Sequence, residues 1–405
     1  MEVPGRTITT GDPDRMVPAM NNKKLFPRHV RRNVVIATSN ITDHSIFTNG
    51  LFQNVYFIYL MLENMGYNPI LMFNERPDPE KVPDFMKKIR VKLMDEIARE
   101  PFPVFAYIEI AMSINPQLRA ILKRLGARII KIYLGNILNI DIETPIFYHG
   151  MHFSHHVVGE VDEVWVSPHY EMHREYSATL NHVPLKPETS KIAAYVWDPA
   201  FLTNFGKRDV MWKPKRPDEE QMLLIMEPNI SFQKASIVPL LIVEAYARLR
   251  PDWKFKVVVI NGQRIKDIPY GNECFLSRLD IYNKGRIELT GRLDMRTAME
   301  RYPSAIPICH QYNNEYNYML FEYFYGGWPV IHNAESWSSA GYFYKDEDIS
   351  AAVQSLDFAV RYHEETFETA LTQAKPVIWR HSIHNPKVHE AWYELLGGKA
   401  KAINQ

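Results

Sequence analysis

The sequence predicts an α/β protein built from two successive parallel sheets, each flanked by helices. Three observations point there. Short, continuously apolar runs such as Asn33-Val-Val-Ile-Ala37 read as strands buried on both faces. Segments with helical spacing that close on glycine, 51–66 and 116–126, alternate with them. The alternation stops near residue 198 and restarts at 222, so the same architecture occurs twice.

Taken in order, residues 1–30 contain proline and glycine without periodicity and read as an irregular arm. Strand 33–37 leads through the loop 38–50 into a helix from Leu51 to Met65. Strands follow at 68–73 and 101–110, a helix at 116–125, and strands at 128–134, 161–166 and 192–196. Asp198-Pro199 and Lys213-Pro-Lys-Arg-Pro217 mark a linker over 198–220. The second alternation has strand 222–226, the polar loop Glu227–Lys234, a helix over 236–248, and a strand from Lys256 that ends in a turn at Gly262. Ile287-Glu-Leu-Thr-Gly291-Arg292-Leu293 is a further strand, and 349–360 is helical. Trp379, Trp392 and Tyr393 read as core contacts of a tail helix. The expected division is an arm at 1–30, a first domain at 31–200, a second at 201–375 and a tail at 376–405.

Bulk composition permits this architecture. A chain of 405 residues can build two cores, and 46% hydrophobic content excludes wholesale disorder. Lys+Arg and Asp+Glu both total 47, so no overall field draws the chain to nucleic acid or membrane. Cys274 and Cys309 supply neither a disulfide framework nor a zinc spacing, which suits a reducing cytoplasm. No apolar run approaches bilayer-spanning length, and the N-terminus lacks the apolar core of a signal peptide. A soluble cytoplasmic protein is expected.

The most informative stretch is 309–332, CHQYNNEYNYMLFEYFYGGWPVIH. It reads as a polar loop, a short helix carrying Glu322, a Gly-Gly break and an apolar strand at 328–331. A polar loop running into a helix N-terminus is a ready anion site, because backbone N–H groups and the helix dipole both favour negative charge. A carboxylate further along that helix can accept hydrogen bonds from vicinal sugar hydroxyls. Together they suit a nucleotide diphosphate with its ribose against the helix.

Glu322-Tyr-Phe-Tyr-Gly-Gly327-Trp-Pro329-Val330-Ile331 resembles, without a gap, the E-A-x-A-x-G-x-P-V-I pattern of GT-B glycosyltransferases. The resemblance is to their large retaining group, which carries two glutamates eight positions apart. Tyrosines replace both alanines here, and Asn314 stands eight positions before Glu322, with Glu315 adjacent. The resemblance implies a GT-B fold, two Rossmann-like parallel-sheet domains facing a cleft, with acceptor on the first domain and nucleotide sugar on the second. It implies a ribose contact for Glu322, and contacts to the sugar and diphosphate for Asn314, Glu315, Tyr316 and Asn317. Lys234 would meet the diphosphate, with Asn229 nearest the place of the family's arginine. Arg292 and Leu293 follow the strand whose backbone reads the base, and Asn49 and Gly50 lie in the loop near the donor phosphates. Asn136 or Asp141 would stand where relatives carry a histidine near the reacting carbon. Lys234, Asn136 and Asp141 are thus the catalytic candidates. The implied co-substrate is a nucleotide-diphosphate sugar, in the first place a UDP-sugar, with retention of configuration and no required metal or other cofactor. The tail helix would cross back to the first domain.

Further features have bland readings beside functional ones. His149, His152 and His156 share a helical face, with His155 beside them, but no acidic residue lies among them and no HExxH pattern is present. They read as a cleft or interdomain surface. The basic runs Lys23, Lys24, Arg28, Arg31, Arg32 and Lys87, Lys88, Arg90, Lys92 read as solvated faces. Phage enzymes that glycosylate hydroxymethylated cytosine in DNA resemble the same fold, so both runs could hold a phosphate backbone in a host cytoplasm. The leading expectation is a glycosyltransferase acting on a glycan or other hydroxyl acceptor, with hydroxymethylated DNA as the second acceptor class. A GT-B sugar epimerase and an inactive nucleotide-sugar-binding protein are the rival expectations from different functional classes.

Overall fold

The computed structural model describes residues 32–397 apart from 40, 43–45, 48, 101, 111, 149, 151–156 and 204–209. Seven parallel strands form the first sheet: β1 (Asn33–Ala37), β2 (Asn68–Phe73), β3 (Val91–Leu93), β4 (Ala106–Glu109), β5 (Arg128–Tyr133), β6 (Glu163–Val166) and β7 (Ser190–Ile192). Their order is β3-β2-β1-β4-β5-β6-β7. The second sheet has β8 (Gln221–Ile225), β9 (Phe255–Val259), β10 (Ile287–Leu289) and β11 (Ile306–Pro307), ordered β10-β9-β8-β11 and again parallel. A short pair, β12 (Ile331–His332) and β13 (Tyr342–Phe343), joins it through a bridge from Ile308 to Ile331.

Polar caps start the helices that matter for the site. In α1 (Gly50–Asn64) the Asn49 side chain accepts from Leu51 N at 3.0 Å. In α2 (Pro116–Arg124) Asn115 accepts from Leu118 N at 2.8 Å, and Pro116 stands where no N–H is needed. Asn136 caps α3 (Ile137–Phe147) through Asn139 N at 3.1 Å. Helix α4 (Ile237–Leu249) follows β8, and Asn317 caps α5 (Tyr318–Tyr325) through Met319 N at 3.2 Å. Gly326 and Gly327 end α5. Gly327 has φ +66, and a Cβ there would fall 2.6 Å from the Phe367 ring, so only glycine lets this end pack against the long helix α6 (Ile349–His381).

Several expectations need correction. The strand expected over 101–110 is confined to Ala106–Glu109. The one expected over 192–196 is Ser190–Ile192; after Ala193 N donates to Val166 O, the chain leaves the sheet to bury Tyr195, Val196 and Trp197 between the halves. The run Trp328–Ile331 pairs only from Ile331, because Pro329 has no N–H and Val330 N turns back to Trp328 O at 2.8 Å. Strand β3 takes up the end of the second basic run, at Lys92, and a 3-10 turn holds Lys87 and Lys88. The helix expected over 349–360 continues to His381, through Pro376.

A tail helix α7 (Pro386–Leu395) returns to the first sheet. Trp197 N donates to His381 O at 2.8 Å, Trp392 Nε1 to Ala194 O at 2.9 Å, and Arg128 Nη2 to Leu395 O at 3.0 Å. Trp392 is buried edge-on to Trp165, with ring centroids 5.7 Å apart; Trp379 and Tyr393 are only partly buried. One apolar cluster runs from β1 through Trp197 and Phe201 to Phe321 and Trp337, so the halves share a core. No helix among the described residues is long and apolar enough to cross a membrane.

Candidate functional site

Strand order locates the site. In open parallel sheets, ligands bind beyond the carboxyl ends of strands where neighbouring connections leave in opposite directions. In the first sheet that point lies between β1 and β4, and in the second between β8 and β11. The loops leaving these four strands face one another across a cleft of about 960 Å³. Asn49, Gly50 and Glu109 line it from the first half, joined by Lys131 and Asn136 of the β5 region. Lys234, Arg292, Leu293, Asn314, Tyr316, Asn317 and Glu322 line it from the second.

Glu322 sits on the second turn of α5, 6% exposed, and its carboxyl makes no hydrogen bond among the described residues. Burial, helped by the charge of Asp294 and opposed by Arg296, pushes its pKa up to about 8. A buried acid with no internal partner, on the wall of a cleft, is a group waiting for donors.

Lys234 closes the loop after β8. Asn229 N donates to Lys234 O at 3.1 Å and Lys234 N to Ser231 O at 3.2 Å, folding the loop into a tight hairpin. Asn229 has φ +54, a left-handed conformation that asparagine tolerates. Its side chain accepts from Ser236 N at 2.8 Å and donates to Glu227 O at 2.9 Å. The Lys234 ammonium makes no ion pair or hydrogen bond among the described residues. Burial pulls its pKa down, and the charge of the wholly buried Glu227 opposes this.

Three sequence candidates lie elsewhere. Asn229 is consumed in shaping the loop and is not on the cleft wall. Glu315 turns outward, where its carboxylate accepts from Glu335 N and Ser336 N, each at 3.2 Å, capping the one-turn helix Glu335–Trp337. Asp141 accepts from Tyr176 Oη at 2.6 Å, off the cleft. Asn136 does reach the cleft, where its Nδ2 donates to Asn313 O of the second half at 3.1 Å. Asn314 accepts from Tyr170 Oη at 2.8 Å. Gly50 needs no left-handed backbone; it simply opens α1. His149, His152, His155 and His156 lie outside the described residues, as do Lys23, Lys24, Arg28 and Arg31. No three His, Cys, Asp or Glu side chains gather as a metal site among the described residues.

Other polar residues of the site carry no signal in the motifs above. Lys131 lies in the middle of the buried strand β5, 4% exposed, where its ammonium donates to Ser113 Oγ at 2.8 Å. It stands 3.8 Å from Glu109, whose two carboxylate oxygens accept from buried Arg119 at 2.7 and 2.6 Å. A lysine inside an apolar parallel strand was the available signal. Glu143 of α3 crosses to the loop of Lys234. His169, three residues past β6, stacks on Tyr316 with centroids 4.2 Å apart. Burial and the Lys234 charge pull its pKa down to about 3, so the ring is neutral near pH 7.

A family described as "Protein of unknown function (DUF2827)" matches residues 34–396. The chain belongs to that family. No curated protein matches this DUF2827 member. Solved structures do. A glycosyltransferase from Rickettsia africae is similar with a TM-score of 0.57 at 12% identity, covering 92% of this chain and 100% of its own. HepE from Anabaena, in complex with UDP-glucose, is similar with a TM-score of 0.53 at 10% identity, over 89% of this chain and 99% of its own. An alpha-glucosyltransferase in complex with UDP and a 13-mer DNA gives a TM-score of 0.54 at 9% identity, over 90% of this chain and 99% of its own. At such identities the likeness concerns the fold, and the fold of this DUF2827 protein is GT-B.

Proposed function

We propose that the protein is a glycosyltransferase, taking a sugar from a nucleoside diphosphate donor and passing it to a hydroxyl acceptor. The observation that carries this reading is Glu322, a buried carboxyl on the cleft with no internal hydrogen-bond donor among the described residues. A ribose diol supplies two such donors. Lys234 and the N-terminus of α5 then face a diphosphate, and the peptide groups near Leu293 face the base. A UDP-sugar is the proposed donor, since HepE and the DNA-bound enzyme, which share the fold, are complexed with UDP-glucose and UDP.

In the reaction the bond between the anomeric carbon and the diphosphate oxygen breaks, with its electron pair leaving on the diphosphate. The acceptor oxygen bonds the anomeric carbon and gives up its proton to the departing diphosphate oxygen. Lys234 stabilises the leaving charge. The transfer is proposed to retain configuration, with the acceptor on the first half. Among acceptors a glycan or small hydroxyl compound is favoured over DNA. In the second basic run Lys87 pairs with Asp84 at 2.5 Å, Arg90 with Glu63 at 3.5 Å and Lys92 with Glu100 at 3.9 Å, so its field is largely offset locally.

The test is a thermal-shift screen of UDP-, GDP- and ADP-sugars, since a ligand of the native state raises its stability. Incubation of the stabilising sugar follows. Release of nucleoside diphosphate supports transfer chemistry, an isomerised donor supports an epimerase, and an unchanged donor supports a binding protein. Stabilisation by none of the three sugar classes removes the donor assignment.

A further inference from the structure

Helix α3 belongs to the first half, yet it is tied to the second at three places. Asn136 Nδ2 at its start donates to Asn313 O at 3.1 Å. In its middle, Glu143 Oε1 accepts from Ser231 Oγ at 2.9 Å and from Phe232 N at 3.1 Å. At its end the Tyr148 hydroxyl donates to Ile230 O. Two of the three ties fall on the loop of Lys234.

The middle tie carries chemical information. Glu143 is 5% exposed, and it lines the cleft together with Ser231 and Lys234. A backbone N–H and a hydroxyl in a loop that runs into the N-terminal end of α4 are donors suited to an anion. In this structure the anion they hold is a carboxylate of the chain itself. A diphosphate reaching Lys234 arrives beside that carboxylate, and two like charges in a partly buried cleft repel. The end of α3 lacks one backbone hydrogen bond, because Pro145 has no N–H to donate.

We propose that Glu143 is an internal stand-in for the donor's diphosphate, holding the Ser231–Phe232 donors until a diphosphate displaces it and releases α3. The inference rests on the assignment of this loop to the donor. Without nucleotide the cleft would be latched across its two halves, and nucleotide binding is the event that unlatches it. Glu143 acts through the loop and is a positioning residue, not a catalytic one.

Calorimetric titration of wild type, Glu143→Gln and Glu143→Ala with UDP, and separately with inorganic pyrophosphate, tests it. Removing the competing charge should tighten both ligands about fivefold or more in each variant. Amide exchange should also show α3 losing protection when UDP binds the wild type. Unchanged or weaker binding of pyrophosphate in both variants overturns the proposal, because a carboxylate that only shapes the loop would be missed by the ligand. Pyrophosphate that tightens while UDP fails to bind supports the latch and removes the nucleoside reading instead. Failure of all three proteins to bind pyrophosphate overturns the latch, and failure to bind UDP as well removes the donor reading with it. A variant that has not folded is recognised by loss of its thermal transition, and Glu143→Asp then serves as the second variant, with weakened latching and tighter pyrophosphate expected.

Discussion

Glu322 is held mostly protonated near pH 7 because it is buried without a donor, its pKa pushed up to about 8. Ribose hydroxyls that donate to it favour the charged form, so donor binding should expel a proton between about pH 6 and 8. Calorimetry of UDP-sugar binding in phosphate and in Tris, which differ in ionisation enthalpy, should reveal that proton. Heats independent of the buffer would contradict the ribose contact. Glu322→Ala should cost about 2 kcal/mol of donor affinity, the scale of a charge-assisted hydrogen bond, and Glu322→Gln should abolish proton release. Lys234 makes a separate case, since its ammonium has no ion pair among the described residues and Asn229 is turned away into the loop. Lys234→Ala should lower turnover at least about 100-fold with a smaller effect on donor affinity, as expected of a group that acts on developing charge. Turnover within a few-fold of wild type would remove it from the chemistry.

Among the elements, the segment containing Lys87, Lys88, Arg90 and Lys92 offers the sharpest test of the acceptor. It forms a short 3-10 turn and the edge strand β3, and acids lie beside three of its four cations. Exposed pairs of this kind contribute little stability, but they cancel the field that a nucleic acid would feel. Wild-type protein is therefore expected to show no salt-sensitive binding of duplex DNA. Should it bind, replacing all four cations by alanine would flatten the dependence of log K on log salt, because fewer counterions are released. That outcome would restore DNA as the acceptor.

At the scale of the whole molecule, burial of titratable groups sets a pH optimum. Glu322 and Asp198 have pKa values raised by burial to about 8 and about 7, from 4.5 and 3.8. Their stabilising contribution is complete below those lower values and is lost as pH rises through 7 and 8. His169 is lowered by burial to about 3, and His332, His363 and His381 to about 4, from 6.5. Theirs is complete above 6.5 and is lost as pH falls towards 4. Each group changes stability by about 1.4 kcal/mol per pH unit within its window. Four histidines outweigh two acids below pH 6.5, and of these six groups only the acids titrate above it. The melting temperature of the unliganded protein should therefore peak near pH 6.5 and decline towards pH 8. A rise from pH 6.5 to 8 would contradict the assignment, and Glu322→Gln should make the decline shallower. The tail adds a packing test. Trp392→Ala empties a site between α7 and β6 and breaks the bond to Ala194 O, so a loss of about 3–5 kcal/mol is expected in denaturant unfolding. A loss under about 1 kcal/mol would mean the tail adds little to the shared core.

The sequence by itself determined the local choices. The apolar runs at 33–37 and 128–133 read as strands buried on both faces and form them, and glycines closed helices where the periodicity stopped. The pattern from Glu322 to Ile331 marked the α5 helix and its Gly-Gly end, because helix, cap and turn chemistry act over neighbouring residues. What needed the tertiary structure was every relation between distant strands. Strand order decided that the loops after β1, β4, β8 and β11 share one cleft. It also decided that Glu315 caps a one-turn helix on the outside and that Asp141 serves Tyr176. Glu109, Glu143 and His169 carry no local pattern, since each is defined by a partner on another element, and Lys131 was marked only by its place inside an apolar strand. Adjacent residues set periodicity and capping, whereas the position of a charge relative to its partner is set only when the sheets close on one another.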